Sequence, residues 1–474
     1  MNKKNSPNGL LKSTLALYYI GLIFLTGISA TLMSTELTTL HAQTGATQGS
    51  RTISVNTITV QTFDELISAV ESASSGDTIL LEDGTYQISG TWAIQIRTDN
   101  ITIRSNSGNR ESVIIKGMGM YANGHHGFWI DANNVTIADL TIENVRNHCI
   151  QTNPDVDNLH VKNCILRDAG EQILKVPYSS QVASPSENGI VEDCLFEYTA
   201  GIGPRYYIGG IDVHFGKEWI VRNNTFKHIV SPESSLSEHA IHFWTNSEGT
   251  VVEKNVIVDC DRGIGFGLGS SGHTGGRIIN NMVYTTRDVG IGLETASGTI
   301  IYNNTVYSDS YPNSIEYRFS GTTGVSIINN LTSGIIKQRD GGSASLENNV
   351  TDAPYSWFMD VESGDLHLTD LPDINNYVID QGINLSEVTD DIDGESRPAG
   401  SGTDIGADET DSSSQGNIEG DLNGDEVVDI LDVMLCVDIV LNGTGDPELI
   451  EIADINQDGT VSILDITEII NLIL

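Results

Sequence analysis

The chain has 474 residues, enough for one large and one small domain, with 64 Asp plus Glu against 24 Lys plus Arg and a formal net charge of -40. A field of that sign repels nucleic acid and anionic membrane surfaces, so neither is expected as a partner. The five cysteines, Cys149, Cys164, Cys194, Cys260 and Cys436, are too sparse for a disulfide scaffold, and none forms a CxxC metal pair.

At the N-terminus Lys3, Lys4 and Lys12 precede an uncharged apolar run from Leu15 to Met33. This is the pattern of an export signal, assigned to residues 1–42, with a single membrane anchor as the alternative. A secreted or cell-surface location follows. Next, Thr62 and Glu65 form a capping box ahead of Phe63, Leu66, Ile67 and Val70, which predicts an amphipathic helix of about three turns. The strand Thr78-Ile79-Leu80-Leu81 and the turn Glu82-Asp83-Gly84-Thr85-Tyr86 come directly after it. Helix, strand and DGTY turn resemble the N-terminal cap of pectate-lyase-like β-helix proteins, whose helix covers the open end of the first coil.

From there to about residue 350 short apolar strands alternate with Asn-rich corners, such as Asn163-Cys164, Asp193-Cys194, Asn223-Asn224, Lys254-Asn255, Asn280-Asn281, Asn303-Asn304 and Asn329-Asn330. Their uneven spacing of roughly 20 to 30 residues fits solenoid coils with loops of unequal length, and is too short for propeller blades. Asn tolerates left-handed backbone and its amide can stack on the next coil. Cys164 and Cys194 fall at equivalent places, where a buried thiol packs and a bridge is not required. Residues 391–409 look like the closing tail of bacterial β-helix proteins, and residues 410–416 read as a linker.

Two acidic loops follow, starting at Asp421 and Asp454, 33 positions apart. The first holds Asp421, Asn423, Asp425, Asp429 and Asp432; the second holds Asp454, Asn456, Asp458, Ser462 and Asp465. Alternating oxygen side chains with an acid at position 12 converge on one point, the loop half of an EF-hand. Each loop runs into an apolar helix through a matched pair, Ile430-Leu431 and Ile463-Leu464. The duplication resembles a type I dockerin, which implies Ca2+ as cofactor and a cohesin-like partner. Glu426 stands where the second loop has Gly459, so the first site is expected to be the weaker. The fold class read from the whole sequence is therefore all-β: a right-handed single-stranded parallel β-helix over residues 59–409 with an N-terminal capping helix. A small α-helical, dockerin-like calcium-binding domain over residues 417–474 follows it.

In a β-helix, equivalent outward residues of successive coils form a column. Aligning inward Ile150, Ile211, Ile241, Ile264, Ile291 and Ile315 gives outward Gln151, Asp212, His242, Gly265, Gly292 and Glu316. Two residues on, the column reads Asn153, His214, Trp244, Gly267, Glu294 and Arg318, and Lys175 fits the coil before Asp212. Lys175, His214, Asp212, His242 and Arg262 are the candidate catalytic residues. Arg205, Tyr206, Tyr207, Trp244, Glu294, Glu316 and Arg318 are the candidate substrate-binding ones, with Trp244 as a sugar platform and the glycines leaving room for a ligand.

Proteins that this chain resembles include polysaccharide lyases, glycoside hydrolases, sugar epimerases and spikes, so the fold alone selects no chemistry. The dockerin-like tail implies a carbohydrate-degrading enzyme acting on a polysaccharide. β-Elimination on a uronate chain would use Lys175 or His214 as base, Arg205, Arg262 or Arg318 as carboxylate clamp, and Tyr206 or Tyr207 as acid. Nine of the Lys plus Arg residues fall between Lys162 and Arg262, which suggests a local attraction for an anionic chain. The alternatives are a hydrolase using Asp212, Glu294 and Glu316, and a non-catalytic glycan-binding or surface protein.

Overall fold

The computed structural model describes residues 56–410, 420–423, 428–443 and 447–473. The expected export signal, most of the linker, and Asp425 and Glu426 of the first acidic loop lie outside the described residues.

The helix Phe63–Ser72 begins at Thr62, whose side chain accepts from Glu65 N while the Glu65 carboxylate accepts from Thr62 N. Its Phe63, Leu66, Ala69 and Val70 are buried, and it packs on the first coil strands Thr57–Val60, Thr78–Leu81 and Ile94–Ile96. In the DGTY turn, Tyr86 is buried and its hydroxyl donates to Val60 O at 2.8 Å and Glu82 O at 2.9 Å, tying the turn to that coil.

Beyond this cap the described residues wind into four parallel sheets of twelve, ten, ten and five strands. One coil runs Ile190–Glu192 in the first sheet, Leu195–Glu197 in the second, Gly209–His214 in the third and Gly216–Lys217 in the fourth, before Ile220–Arg222 returns to the first. This is a right-handed parallel β-helix. Every strand sends alternate residues inward, where like stacks on like, as when Phe196 lies over Phe226 with ring centroids 4.7 Å apart.

The Asn corners divide two tasks between successive residues. The first residue takes the left-handed conformation, as at Asn223, Lys254, Asn280, Asn303 and Asn329. The second points inward, and its Nδ2 donates to the Oδ1 of the Asn one coil on. The ladder runs from Asn224 through Asn255 (3.0 Å), Asn281 (3.0 Å), Asn304 (2.9 Å) and Asn330 (3.0 Å) to Asn349 (2.9 Å). Cys194 and Cys164 continue the same line: Cys194 N donates to Asn224 Oδ1 at 2.9 Å and Cys164 N to Cys194 Sγ at 3.3 Å. All five cysteines are buried free thiols.

After Ala344–Glu347 the chain forms a hairpin, Phe358–Asp360 with Asp365–Leu368, and a short helix, Pro372–Tyr377. The closing tail then lies along the flank of the coils, with Gly406 N on Asn329 O at 2.8 Å and Ala407 N on Thr305 Oγ1 at 2.9 Å. Its centre is Arg397, buried against Glu409 and donating to the carbonyls of Asp404, Gly406 and Asp408. In the C-terminal region the helices Ile430–Asn442 and Ile463–Ile473 pack together around Val433, Cys436 and Ile469. A further helix, Pro447–Ala453, precedes the second acidic loop and has no counterpart in the sequence reading.

Candidate active site and calcium loops

The third sheet keeps the register expected from the inward isoleucines. Gln151 pairs with Lys175, Lys175 with Asp212, Asp212 with His242, His242 with Gly265, Gly265 with Gly292 and Gly292 with Glu316. His214 pairs with Trp244, and Glu294 with Arg318. Both columns stand on one face.

Lys175, Asp212, His214 and Trp244 form a single hydrogen-bonded group. Lys175 Nζ donates to Asp212 Oδ2 and, at 3.0 Å, to His214 Nε2. The other ring nitrogen, His214 Nδ1, donates to Thr245 Oγ1 at 3.0 Å, and Trp244 Nε1 donates to Asp212 Oδ1 at 2.8 Å. Lys175 is only 8% exposed and Asp212 3%, although both point away from the core. Burial alone would push the Asp212 carboxyl up, but the charge of Lys175, with His242 and His214, outweighs it and holds the group down at about 2. Burial lowers His214 to about 4 against the opposing pull of Asp212, with the Lys175 charge acting in the same direction as burial. At neutral pH the group is thus an ionised Asp212 beside a neutral His214.

Several expected roles change in the structure. Trp244 is not an open sugar platform: His242 stacks on it with centroids 5.4 Å apart, and His214 lies at 4.1 Å. The room left by Gly265 is taken by His239, whose imidazole would lie 2.7 Å from a Cβ there and 3.8 Å from one at Gly292. His239 is buried, which holds it well below the usual imidazole range. Arg262 is paired with Asp288 at 3.0 Å. Arg318 is divided between Glu294 at 2.8 Å and Asp340 at 2.9 Å. Glu316, also buried, accepts from Tyr311, Asn313 and Arg339. Arg205 lies 4.0 Å from Glu171, and Tyr206 and Tyr207 are exposed with their rings 6.4 Å apart.

The local excess of basic residues has a structural purpose. Lys162 and Arg222 both hold Glu192 on the first sheet, Arg167 bridges Glu143 and Glu197 on the second, and Lys254 pairs with Asp390. They brace neighbouring coils and do not gather on the third sheet. Residues that the sequence reading missed include Thr245, Asp288 and Arg339, the partners of His214, Arg262 and Glu316. Carrying the same alignment one coil further, to Ile336, would have placed Lys337 and Arg339 in the two columns.

In the second acidic loop Asp454 accepts from Asp458 N and Gly459 N, and Asp465 accepts from Asn456 N at 3.2 Å and Ser462 N at 2.7 Å. Gly459 takes φ +85°, the left-handed turn at position six. In the first, Asp432 accepts from Leu422 N, Asn423 N and Asp429 N. Asp432 and Asp465 are fully buried, yet no Lys or Arg follows Arg397 in the sequence to balance them. A hard divalent cation is the group that such oxygen donors fit. Residues 419–474 match the family described as "Dockerin type I domain". This segment is a dockerin type I domain.

A search of the curated proteins finds no match for the chain. Among solved structures, a pectate lyase, Pel9A, superposes with a TM-score of 0.50 at 13% identity, covering 76% of this chain and 97% of that one. XylC in complex with xylose gives 0.44 at 12% identity, with 62% and 75% covered. An alginate lyase from a Paenibacillus species gives 0.37 at 13% identity, with 54% and 94% covered. At these identities the likeness is one of fold.

Proposed function

We propose that the protein is a secreted polysaccharide lyase that cleaves a uronate-containing chain by β-elimination on the third sheet, with Lys175 as the base. The observation that carries this reading is the disposition of Lys175 Nζ between Asp212 and His214. A neutral amine has two N–H groups and one lone pair. With the N–H groups held by the Asp212 carboxylate and the neutral His214 Nε2, the lone pair is left to face outward, where a sugar C5 proton would lie. Asp212 and His214 have completed their titrations well below neutrality. Arg205 lies on the loop that leads into the strand of Asp212 and His214 and is the candidate clamp for the uronate carboxylate, with Tyr206 and Tyr207 as candidate leaving-group acids. A structural neighbour that is a pectate lyase supports the same class of substrate.

A hydrolase would need two carboxyls about 5 to 9.5 Å apart. Asp212 and Glu316 are four strands apart in register, about 19 Å at the usual strand spacing. Glu294 and Glu316 are closer, but each is ion-paired with an arginine. Mass spectrometry of the fragments decides between the two reactions: elimination adds no water to the products, whereas hydrolysis adds one per cleavage. Fragments that carry an added water would refute the lyase assignment.

The dockerin domain would hold Ca2+ through Asp421, Asn423, Asp425, Asp429 and Asp432, and through Asp454, Asn456, Asp458, Ser462 and Asp465, and would tether the enzyme to a cohesin-like partner. Ile430, Leu431, Ile463 and Leu464 are 51–71% exposed, a duplicated apolar surface at two helix starts that needs a partner.

A further inference from the structure

Beside the Lys175 group, Glu238, His239 and His242 bring one donor atom each within 4.8 Å of one another. Three features set this cluster apart from a solvated surface. First, Glu238 Oε2, His239 Nδ1 and His242 Nδ1 are all shielded from solvent and none has a hydrogen-bond partner. A buried polar atom without a partner costs about 1 to 3 kcal/mol, so one on each of three clustered side chains asks for a common occupant. Second, the tautomer of His242 is set from behind: its Nε2 lies 3.2 Å from Gly267 O and donates to it, which leaves the Nδ1 lone pair aimed at the cluster. A ligating imidazole is held in this way, with its second nitrogen on a carbonyl. Third, the backbone makes space for the other ring. Gly265 has no Cβ, and one there would collide with the His239 imidazole at 2.7 Å.

We infer that Glu238, His239 and His242 form a binding site for one transition-metal ion of the zinc class, separate from the calcium loops and independent of the reaction assigned to the Lys175 group. Two imidazoles and one carboxylate suit zinc, cobalt or nickel. Calcium, which takes six to eight oxygens, is a poor match. His242 Nδ1 and Glu238 Oε2 are 3.6 Å apart. Ligands of a tetrahedral zinc stand about 3.3 Å apart at the usual bond lengths, so a shift of a few tenths of an ångström closes this edge. Arg262 would oppose a cation there, but Asp288 neutralises it at 3.0 Å. Three protein ligands leave a fourth position open, as in metal sites that bind water or a substrate oxygen.

The test uses the full chain with calcium in excess, so that the dockerin loops are filled, and Co2+ as the probe. One equivalent of Co2+ should bind, give visible ligand-field absorption, and be displaced by Zn2+. His239→Gln and His242→Gln should each weaken binding by about tenfold or more. Because both histidines are buried and their replacement could disturb folding, Glu238→Gln carries equal weight: its side chain is 29% exposed, and it should weaken Co2+ binding while leaving the circular dichroism unchanged. Absence of visible bands in the unaltered protein would overturn the assignment. So would bands of undiminished affinity in Glu238→Gln.

Discussion

Replacing Asn281 by Ala should cost far more than its size suggests, because it breaks the asparagine ladder at its centre. Asn281 is fully buried. Its Oδ1 accepts from Asn255 N and Asn255 Nδ2, both at 3.0 Å, and its Nδ2 donates to Val252 O, Ile279 O and Asn304 Oδ1. On truncation Asn255 Nδ2 keeps Val221 O and Glu253 O, and Asn304 Oδ1 keeps Asn281 N. The Asn255 N–H is left with no acceptor. One orphaned buried donor costs about 1 to 3 kcal/mol, and the remaining lost bonds add about 1 kcal/mol each, with less than full additivity. A total of about 3 to 5 kcal/mol follows from these terms. Asn349, at the far end of the ladder, is only partly buried, so water can replace its amide and Asn349→Ala should cost about 1 kcal/mol. Urea denaturation of the two variants, with amide exchange of Asn255 as the local reporter, makes the comparison. Equal losses at the two positions would refute the ladder as a source of stability.

Four further outcomes are expected. Lys175→Ala should lower stability by about 3 kcal/mol as well as abolish activity, because it strands the buried Asp212 carboxylate, and Lys175→Ala with Asp212→Ala should cost less than the sum of the two. Arg397→Ala should cost about 3 to 5 kcal/mol by leaving Glu409 charged and buried, read as a lower midpoint in thermal denaturation; a loss below 1 kcal/mol would count against that role. Glu192 is pushed up by burial but held at about 2 by Arg222, Lys162 and His160. Its folded value lies below the usual one, so its stabilisation, about 2 kcal/mol once solvent screening of the half-exposed Lys162 and Arg222 is discounted, is present above pH 4.5 and lost as pH falls toward 2; Glu192→Gln should flatten that limb of the stability curve. Removing calcium should expose the amides of the dockerin helices Ile430–Asn442 and Ile463–Ile473 while sparing those of the β-helix, and equal protection with and without chelator would contradict the metal reading of the loops.

The face was legible because a solenoid repeats its side-chain alternation: an inward isoleucine in each coil from Ile150 to Ile315, replaced by Leu174 in the coil of Lys175, set the register without knowledge of the loops. The corners were legible for a related reason, since Asn serves both the left-handed turn and the ladder. What the sequence concealed was tertiary. Nothing in the string Glu238-His239-Ala240-Ile241-His242 says that His239 folds over Gly265 from the neighbouring coil. The concentration of Lys and Arg along the chain suggested an anion site, but consecutive basic residues were sent to different sheets, where they pair across coils. Lys175 pointed outward as expected, yet it is only 8% exposed, held between Asp212 and His214. A stability-neutral Lys175→Ala, which an exposed residue would imply, is therefore not expected.

The most direct measurement is the ultraviolet absorbance of the unsaturated uronate product, followed for the unaltered protein and for Lys175→Arg on pectic, alginate and glycosaminoglycan chains. Arginine keeps a cation beside Asp212 and so preserves the fold, but it cannot give up a proton near neutrality. The unaltered protein should generate the absorbing product on at least one of these chains, and Lys175→Arg should be folded and silent. Product formation by Lys175→Arg at an undiminished rate, or release of reducing ends without the absorbing group, would contradict Lys175-driven elimination on this face.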